Sequence, residues 1–255
     1  MIYSGLVSIT FRNLEPGAII DLAAKARLDG IEWGGDIHVP PGRLDAAREI
    51  GDRTRDEGLK VAAYGSYYRV GSGTAGSGGF EDVLKTAAAL KAPIIRVWAG
   101  SRASADTDEQ LREAIVRESR TIARMAGDEG IAVAFEYHGN TLTDTGESAI
   151  RLLEDISHPN MGCYWQPPVF EDFDQRLSGL KGIMPWLRNI HVFCWLGSER
   201  LPLSEGREDW LKYLKAAAGA GGDRYAMLEF VKDDNPLQCL QDAEVLKQML
   251  TLIHS

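Results

Sequence analysis

The sequence predicts one (β/α)8 barrel, and residues 1–255 read as a single domain. Two observations predict it. Eight short apolar runs of β character alternate with eight longer stretches of helical periodicity. The runs end near residues 8, 33, 64, 98, 136, 166, 191 and 229, a repeat of about 32 residues with no linker to interrupt it. Strict alternation implies parallel strands joined by right-handed crossovers. At roughly 150 residues per domain the length also allows two domains, but eight unbroken units suit one α/β barrel of the TIM class. The competing fold, an open doubly wound sheet, would carry a glycine-rich phosphate turn after its first strand. Ser8-Ile9-Thr10-Phe11-Arg12 is nothing like that turn.

The elements follow in order. Ile2 to Ile9 is the first strand, and Glu15 to Leu28 is a helix with Ile19, Ile20, Ala23, Ala24 and Ala26 on its apolar side. Gly30 to Trp33 is the second strand. Arg43 to Glu57 is helical and stops at Gly58. Leu59 to Tyr64 is a strand, Phe80 to Leu90 a helix, and Pro93 to Trp98 a strand. The longest helix, Asp108 to Glu129, opens on a cap-like Thr107 or Asp108 and closes at Gly130. Ile131 to Tyr137 and Met161 to Gln166 are strands around a helix at Glu147 to Ile156. A helix at Phe173 to Gly182 leads to a strand at Arg188 to Trp195. The last units are a helix at Glu208 to Ala218, a strand at Tyr225 to Val231, and a helix at Pro236 to Ile253.

Composition narrows the function. Lys and Arg number 28 against 37 Asp and Glu, a net charge of −9. Gripping a phosphate backbone needs clustered cations, so a nucleic-acid partner is not expected. No run of 18 or more apolar residues and no signal-peptide pattern is present, so neither membrane nor export is expected and a cytoplasmic protein follows. Cys163, Cys194 and Cys239 have no metal-ligand spacing, and their odd number argues against a disulfide framework.

In such a barrel the chemistry gathers at the C-terminal ends of the strands. Glu136 and Glu229 are carboxylates inside apolar runs, Val133-Ala134-Phe135 and Ala226-Met227-Leu228, and burying them requires a partner for the charge. His191 lies in a similar strand. Two carboxylates, an imidazole and the Gln166 amide at one mouth suit a divalent metal with mixed nitrogen and oxygen ligands. The alternative is that each acid pairs with a basic residue such as Arg96 and no metal is held. Glu32 either contacts substrate or pairs with Arg96, and His38 reads as structural. Trp33, Trp98, Trp165 and Trp195 all fall at strand ends, where they read as a stacking wall for a sugar-like substrate, with Tyr64, Tyr67 and Tyr68 adding hydroxyls. The glycine-rich run from Gly71 to Gly79 lacks a G-K-[ST] signature and reads as a lid or as a flexible loop.

Gly30-Ile31-Glu32-Trp33-Gly34-Gly35, Ile95-Arg96-Val97-Trp98-Ala99-Gly100, Phe135-Glu136-Tyr137-His138-Gly139, Ile190-His191-Val192 and Leu228-Glu229-Phe230 carry a resemblance over essentially the whole chain. They resemble the xylose-isomerase-like sugar phosphate isomerase/epimerase family, which includes ketose 3-epimerases, hydroxypyruvate isomerase, inosose dehydratase and, more distantly, endonuclease IV. The resemblance implies one divalent ion (Mn, Mg, Co or Zn) held by Glu136, Gln166, His191 and Glu229. It implies proton transfer beside a carbonyl through an ene-diolate, with Glu136 and Glu229 as acid and base. The substrate would be a small sugar, sugar phosphate or keto-sugar touched by Glu32, Trp33, Tyr64, Arg96, Trp98, His138, Trp165 and Trp195. His138, two residues beyond Glu136, would face the same side and bond a substrate hydroxyl.

One position departs from the pattern. Where relatives read D-P-G-H after the sixth strand, this chain reads Gln166-Pro167-Pro168-Val169, so the ligand set loses a charge and metal affinity should fall. Isomerase or epimerase is the main reading. A dehydratase of a cyclic polyol or keto-acid uses the same enolate chemistry, and a metal-free sugar-binding or sensing barrel is the reading of another class. Relatives often pair, so a homodimer is an expectation, although no apolar helix stripe marks an interface.

Overall fold

The structure is a computed structural model that describes residues 1–71 and 79–254. Most of the glycine-rich run expected to act as a lid or loop lies outside the described residues. Eight parallel strands close into a barrel: β1 (Ile2–Val7), β2 (Gly30–Gly34), β3 (Lys60–Arg69), β4 (Ile94–Trp98), β5 (Ala132–Phe135), β6 (Met161–Trp165), β7 (Leu187–Val192) and, last in the chain, β10 (Arg224–Leu228). Strand β1 pairs with both β2 and β10, which closes the ring. The (β/α)8 expectation is borne out. An antiparallel hairpin of β8 (Cys194–Leu196) and β9 (Glu199–Leu201) stands beyond β7. The sequence reading had fused β8 into the seventh strand.

Among the described residues, eight α-helices surround the barrel: α1 (Pro16–Lys25), α2 (Leu44–Asp56), α3 (Gly79–Leu90), α4 (Glu109–Asp128), α5 (Gly146–Ile156), α6 (Phe173–Ile183), α7 (Arg207–Ala218) and α8 (Pro236–His254). Local chemistry sets their ends. The Asp108 carboxylate accepts from the Leu111 amide 2.8 Å away and caps α4, and Gly130 takes the positive φ of 71° that turns the chain into β5. Asp172 and Gln175 form a reciprocal capping box at α6.

The strands divide the buried side chains into two sets. The larger apolar cluster lies between barrel and helices and includes Trp33, Tyr64, Trp165, Trp210 and Tyr213. A smaller one, with Val7, Ala63, Ala134, Tyr164 and Met227, fills the barrel. Period-two alternation places Arg96 and Trp98, Ala134 and Glu136, Tyr164 and Gln166, and Met227 and Glu229 on the inner side.

Candidate metal centre at the barrel mouth

Inward-facing residues at the ends of β2, β4, β5, β6, β7 and β10 converge on His191, which is fully buried. Its Nδ1 lies 3.8 Å from Glu136 Oε1, 3.5 Å from Glu229 Oε2 and 3.1 Å from Gln166 Oε1. Its Nε2 lies 3.6 Å from Glu32 Oε1. The donor atoms of Glu136, His191 and Glu229 all fall within 4.8 Å of one another, so this buried group can hold a metal ion.

The three carboxylates are compensated differently. Arg96 Nε donates to Glu32 Oε1 at 2.7 Å, and Arg96 Nη1 and Trp98 Nε1 both donate to Glu136 Oε2. Gly65 makes room for this pairing, since a Cβ there would lie 2.5 Å from Arg96 Nη2 and 2.8 Å from Glu32 Oε1. Burial by itself would raise the Glu32 pKa, but Arg96 and His191 outweigh it and bring it to about 2. Among the described residues, Glu229 has no Lys or Arg within ion-pair distance and meets only His191. Burial, reinforced by Glu136 and Glu32 against His191 and Arg96, pushes the Glu229 carboxyl up. Burial would lower the His191 pKa, but Glu229, Glu32 and Glu136 raise it to about 8. The His191–Glu229 pair therefore carries a proton at neutral pH. Pairing with Arg96 thus accounts for two of the acids and leaves Glu229 beside an imidazole.

A cavity of about 180 Å³ opens above this group, lined by Glu136, His138, Gln166, Trp195, Glu229 and Phe230 among others. His138 stacks on Trp98 with ring centroids 4.7 Å apart, and its Nδ1 lies 2.6 Å from the Gly139 carbonyl oxygen. A larger cavity, about 710 Å³, sits elsewhere against Tyr3, Lys60 and Arg224 and touches none of these acids. The chemistry belongs to the smaller one.

Five expected substrate contacts are placed otherwise. Trp33 and Trp165 are fully buried and turned to the helices: Trp33 Nε1 donates to Thr54 Oγ1 at 3.2 Å, and Trp165 packs edge-on against Trp210 and Tyr213. Each sits one residue from an inward side chain, Glu32 or Gln166, so alternation sends it outward. Tyr64 is likewise buried, its hydroxyl donating to the Val39 carbonyl at 2.8 Å. Glu32 and Arg96 are buried in the barrel, bound to each other beneath the mouth. Trp98, His138 and Trp195 remain at the rim. His38 bonds Ser8 through Nδ1 at 2.9 Å.

The structure adds rim residues that sequence reading missed. Arg69 lies 3.8 Å from the Trp98 ring centroid, Arg200 lies 4.9 Å from that of Phe230, and Arg12 donates to Tyr67 Oη at 3.0 Å. Tyr67, Asn140 and Phe230 hold positive φ of 59°, 59° and 53°, a conformation rare outside glycine. Tyr67 is one of the tyrosines expected to add hydroxyls, whereas no residue-type signal marks Arg69, Arg200 or Asn140.

A family profile described as xylose isomerase-like TIM barrel matches residues 20–249. The chain belongs to that family. A 3-dehydroshikimate dehydratase from Bacillus anthracis is 32% identical over 98 residues, 38% of this chain and 35% of that enzyme, so the match spans about a third of the relative's length. Among solved structures, the probable 3-DHS dehydratase involved in petrobactin synthesis from Bacillus anthracis superposes with a TM-score of 0.80 at 22% identity, covering 97% of this chain and 99% of that one. A xylose isomerase-like barrel from Mycobacterium smegmatis in complex with magnesium gives 0.75 at 16% identity over 100% and 98%. D-psicose 3-epimerase with D-tagatose from Clostridium cellulolyticum H10 gives 0.75 at 15% identity over 99% of each chain. These members of the xylose isomerase-like family share its fold across epimerases and dehydratases.

Proposed function

We propose that the protein is a divalent-metal-dependent enzyme that removes a proton beside a carbonyl, and that it dehydrates a small cyclic hydroxy-keto acid of the 3-dehydroshikimate type. The observation that carries this reading is the asymmetry of two neighbouring carboxylates. Glu136 gives one oxygen to Arg96 and Trp98, whereas Glu229 faces the cavity and, among the described residues, has His191 as its ion-pair partner.

Glu136, Gln166, His191 and Glu229 would hold the ion, each keeping one donor atom on the shared centre. The bound cation supplies electrostatic stabilisation for the negative charge that develops on the substrate carbonyl oxygen. Glu229 is the base: it takes the proton from the carbon beside the carbonyl, and the electrons of that C–H bond move into the enolate. The β-hydroxyl then leaves with the proton that Glu229 took, so one water departs and no oxidant is needed, and shift of a ring proton to the carbonyl oxygen makes the ring aromatic. Starting from 3-dehydroshikimate, the product is an aromatic dihydroxybenzoate. Arg69 and Arg200, the latter paired with Asp234, stand over the aromatic rings of Trp98 and Phe230 at the rim. The partial sequence likeness to a 3-dehydroshikimate dehydratase points the same way.

The isomerase or epimerase reading rests on the same first step with the proton returned to carbon. The flat Trp98–His138 stack, which suits the C–H face of a sugar, favours it. Incubating the Mn²⁺-loaded protein with 3-dehydroshikimate separates the two. Aromatic absorbance should appear with wild type and fall about 10²–10⁴-fold in rate for Glu229→Gln. No aromatic product, with deuterium exchange into a keto-sugar beside its carbonyl, would replace dehydration by epimerisation. Equal rates in the variant would remove Glu229 as the base.

A further inference from the structure

We infer that Glu32 is a positioning residue which fixes the His191 ring, so that Nδ1 is the nitrogen turned to the metal and Nε2–H is directed at the Glu32 carboxylate. The inference rests on the metal reading above and concerns a residue that never reaches the mouth.

The two faces of the His191 ring are unlike. On the Nδ1 side lie oxygens of Glu136, Glu229 and Gln166 at 3.8, 3.5 and 3.1 Å. On the Nε2 side the acidic neighbour is Glu32, at 3.6 Å, and Nε2 is a buried ring nitrogen with no hydrogen-bond partner among the described residues. A buried N–H without an acceptor is costly, so a carboxylate within one small ring movement is the natural acceptor. Histidines that bind metals usually donate their other ring N–H to such a group, which fixes both tautomer and orientation.

Glu32 does a second thing at the same time. The oxygen nearest His191 Nε2 also accepts from Arg96 Nε at 2.7 Å, and the same guanidinium donates through Nη1 to Glu136. One buried carboxylate on β2 is thus tied to the imidazole on β7 and, through Arg96 on β4, to the carboxylate that follows β5. Its own placement is strict. Glu32 is fully buried, and Gly65 leaves no side chain between it and Arg96. Substrate contact is closed to it, and what it does must pass through His191 and Arg96.

The test needs no substrate. In the Mg²⁺-loaded wild-type protein, ring ¹⁵N NMR should show His191 protonated at Nε2 and bare at Nδ1. A proton on Nδ1 with Nε2 bare would overturn the inference. Glu32→Gln, isosteric but uncharged, should bind Mn²⁺ about 10–100-fold more weakly by titration calorimetry while keeping wild-type circular dichroism. A folded variant with wild-type Mn²⁺ affinity would overturn it as well, and the NMR arm decides the matter if the variant does not fold. Absence of Mn²⁺ binding to wild type is a different result: it would sink the proposed function before Glu32 is reached.

Discussion

Glu136 and Glu229 carry the same side chain at the same mouth, and their neighbours divide the work between them. Arg96 and Trp98 occupy one oxygen of Glu136, while Glu229 stands 3.5 Å from His191 Nδ1. That division sets a pH dependence whose sign can be worked out. The folded pKa of His191, about 8, lies above its ordinary value of 6.5. In the metal-free protein the protonated ring contributes stability that is full below 6.5 and is lost as pH rises through about 8, roughly 2 kcal/mol in all. A metal ligand must be deprotonated, so metal affinity runs the other way and rises with pH until about 8. Thermal midpoints of metal-free protein and Mn²⁺ dissociation constants, both measured from about pH 6 to about pH 9, check the pair of trends. Opposite slopes are expected, and His191→Asn should lose the His191 part of the stability trend while the raised Glu229 carboxyl keeps its own. An Mn²⁺ affinity that does not change with pH would contradict the placement of His191 in the ligand set. Residue type alone marked Glu136, His191 and Glu229 as candidates, because acids and imidazoles seldom lie inside apolar strands. It did not say which acid Arg96 would compensate, since that depends on β2, β3, β4 and β5 standing in that order around the barrel.

A strand end is too coarse a landmark for a side chain, and the tryptophans show why. Trp98 is two residues beyond Arg96 and stays with it on the inner side, whereas Trp33 and Trp165 are each one residue from an inward side chain and face the helices. Counting parity from Glu32 and Gln166 would have found this in the sequence, because side-chain direction in a strand has a period of two. Trp195 obeys neither count, since it stands on the β8–β9 hairpin outside the barrel. The elements themselves were legible from apolar periodicity, with boundaries off by a few residues: β3 continues to Arg69, and β5 stops at Phe135, before Glu136. The different surroundings of the tryptophans have a measurable consequence. Trp165→Ala opens a hole against Trp210 and Tyr213 and should cost about 3–5 kcal/mol in denaturant unfolding. Trp98→Phe removes a donor to Glu136 at the half-exposed rim and should cost about 1 kcal/mol. If the two substitutions cost the same, the division between inner and outer aromatics would be wrong.

At the scale of the molecule, ring closure decides where chemistry can occur. Eight parallel strands bring residues separated by nearly 200 positions, Glu32 and Glu229, to the same imidazole. The 32-residue repeat made that closure readable in the sequence, and the family match over residues 20–249 agrees with it. Part of the rim was not readable, because Arg69 lies in the extension of β3, Arg200 on the β8–β9 hairpin and the left-handed Phe230 just past β10, all beyond the repeating part of the strands. Nothing in the described residues is long and apolar enough to cross a membrane as a helix. The acidic excess is gathered in part at and beneath the mouth, where three glutamates face one arginine and one histidine. A divalent cation would balance that charge by displacing the proton held between His191 and Glu229. Titration calorimetry of the wild-type protein with Mn²⁺ near neutral pH, repeated in buffers of different ionisation heat, measures this directly. The account predicts one ion per chain and release of about one proton on binding. No binding at millimolar Mn²⁺, or binding that releases no proton, would contradict it.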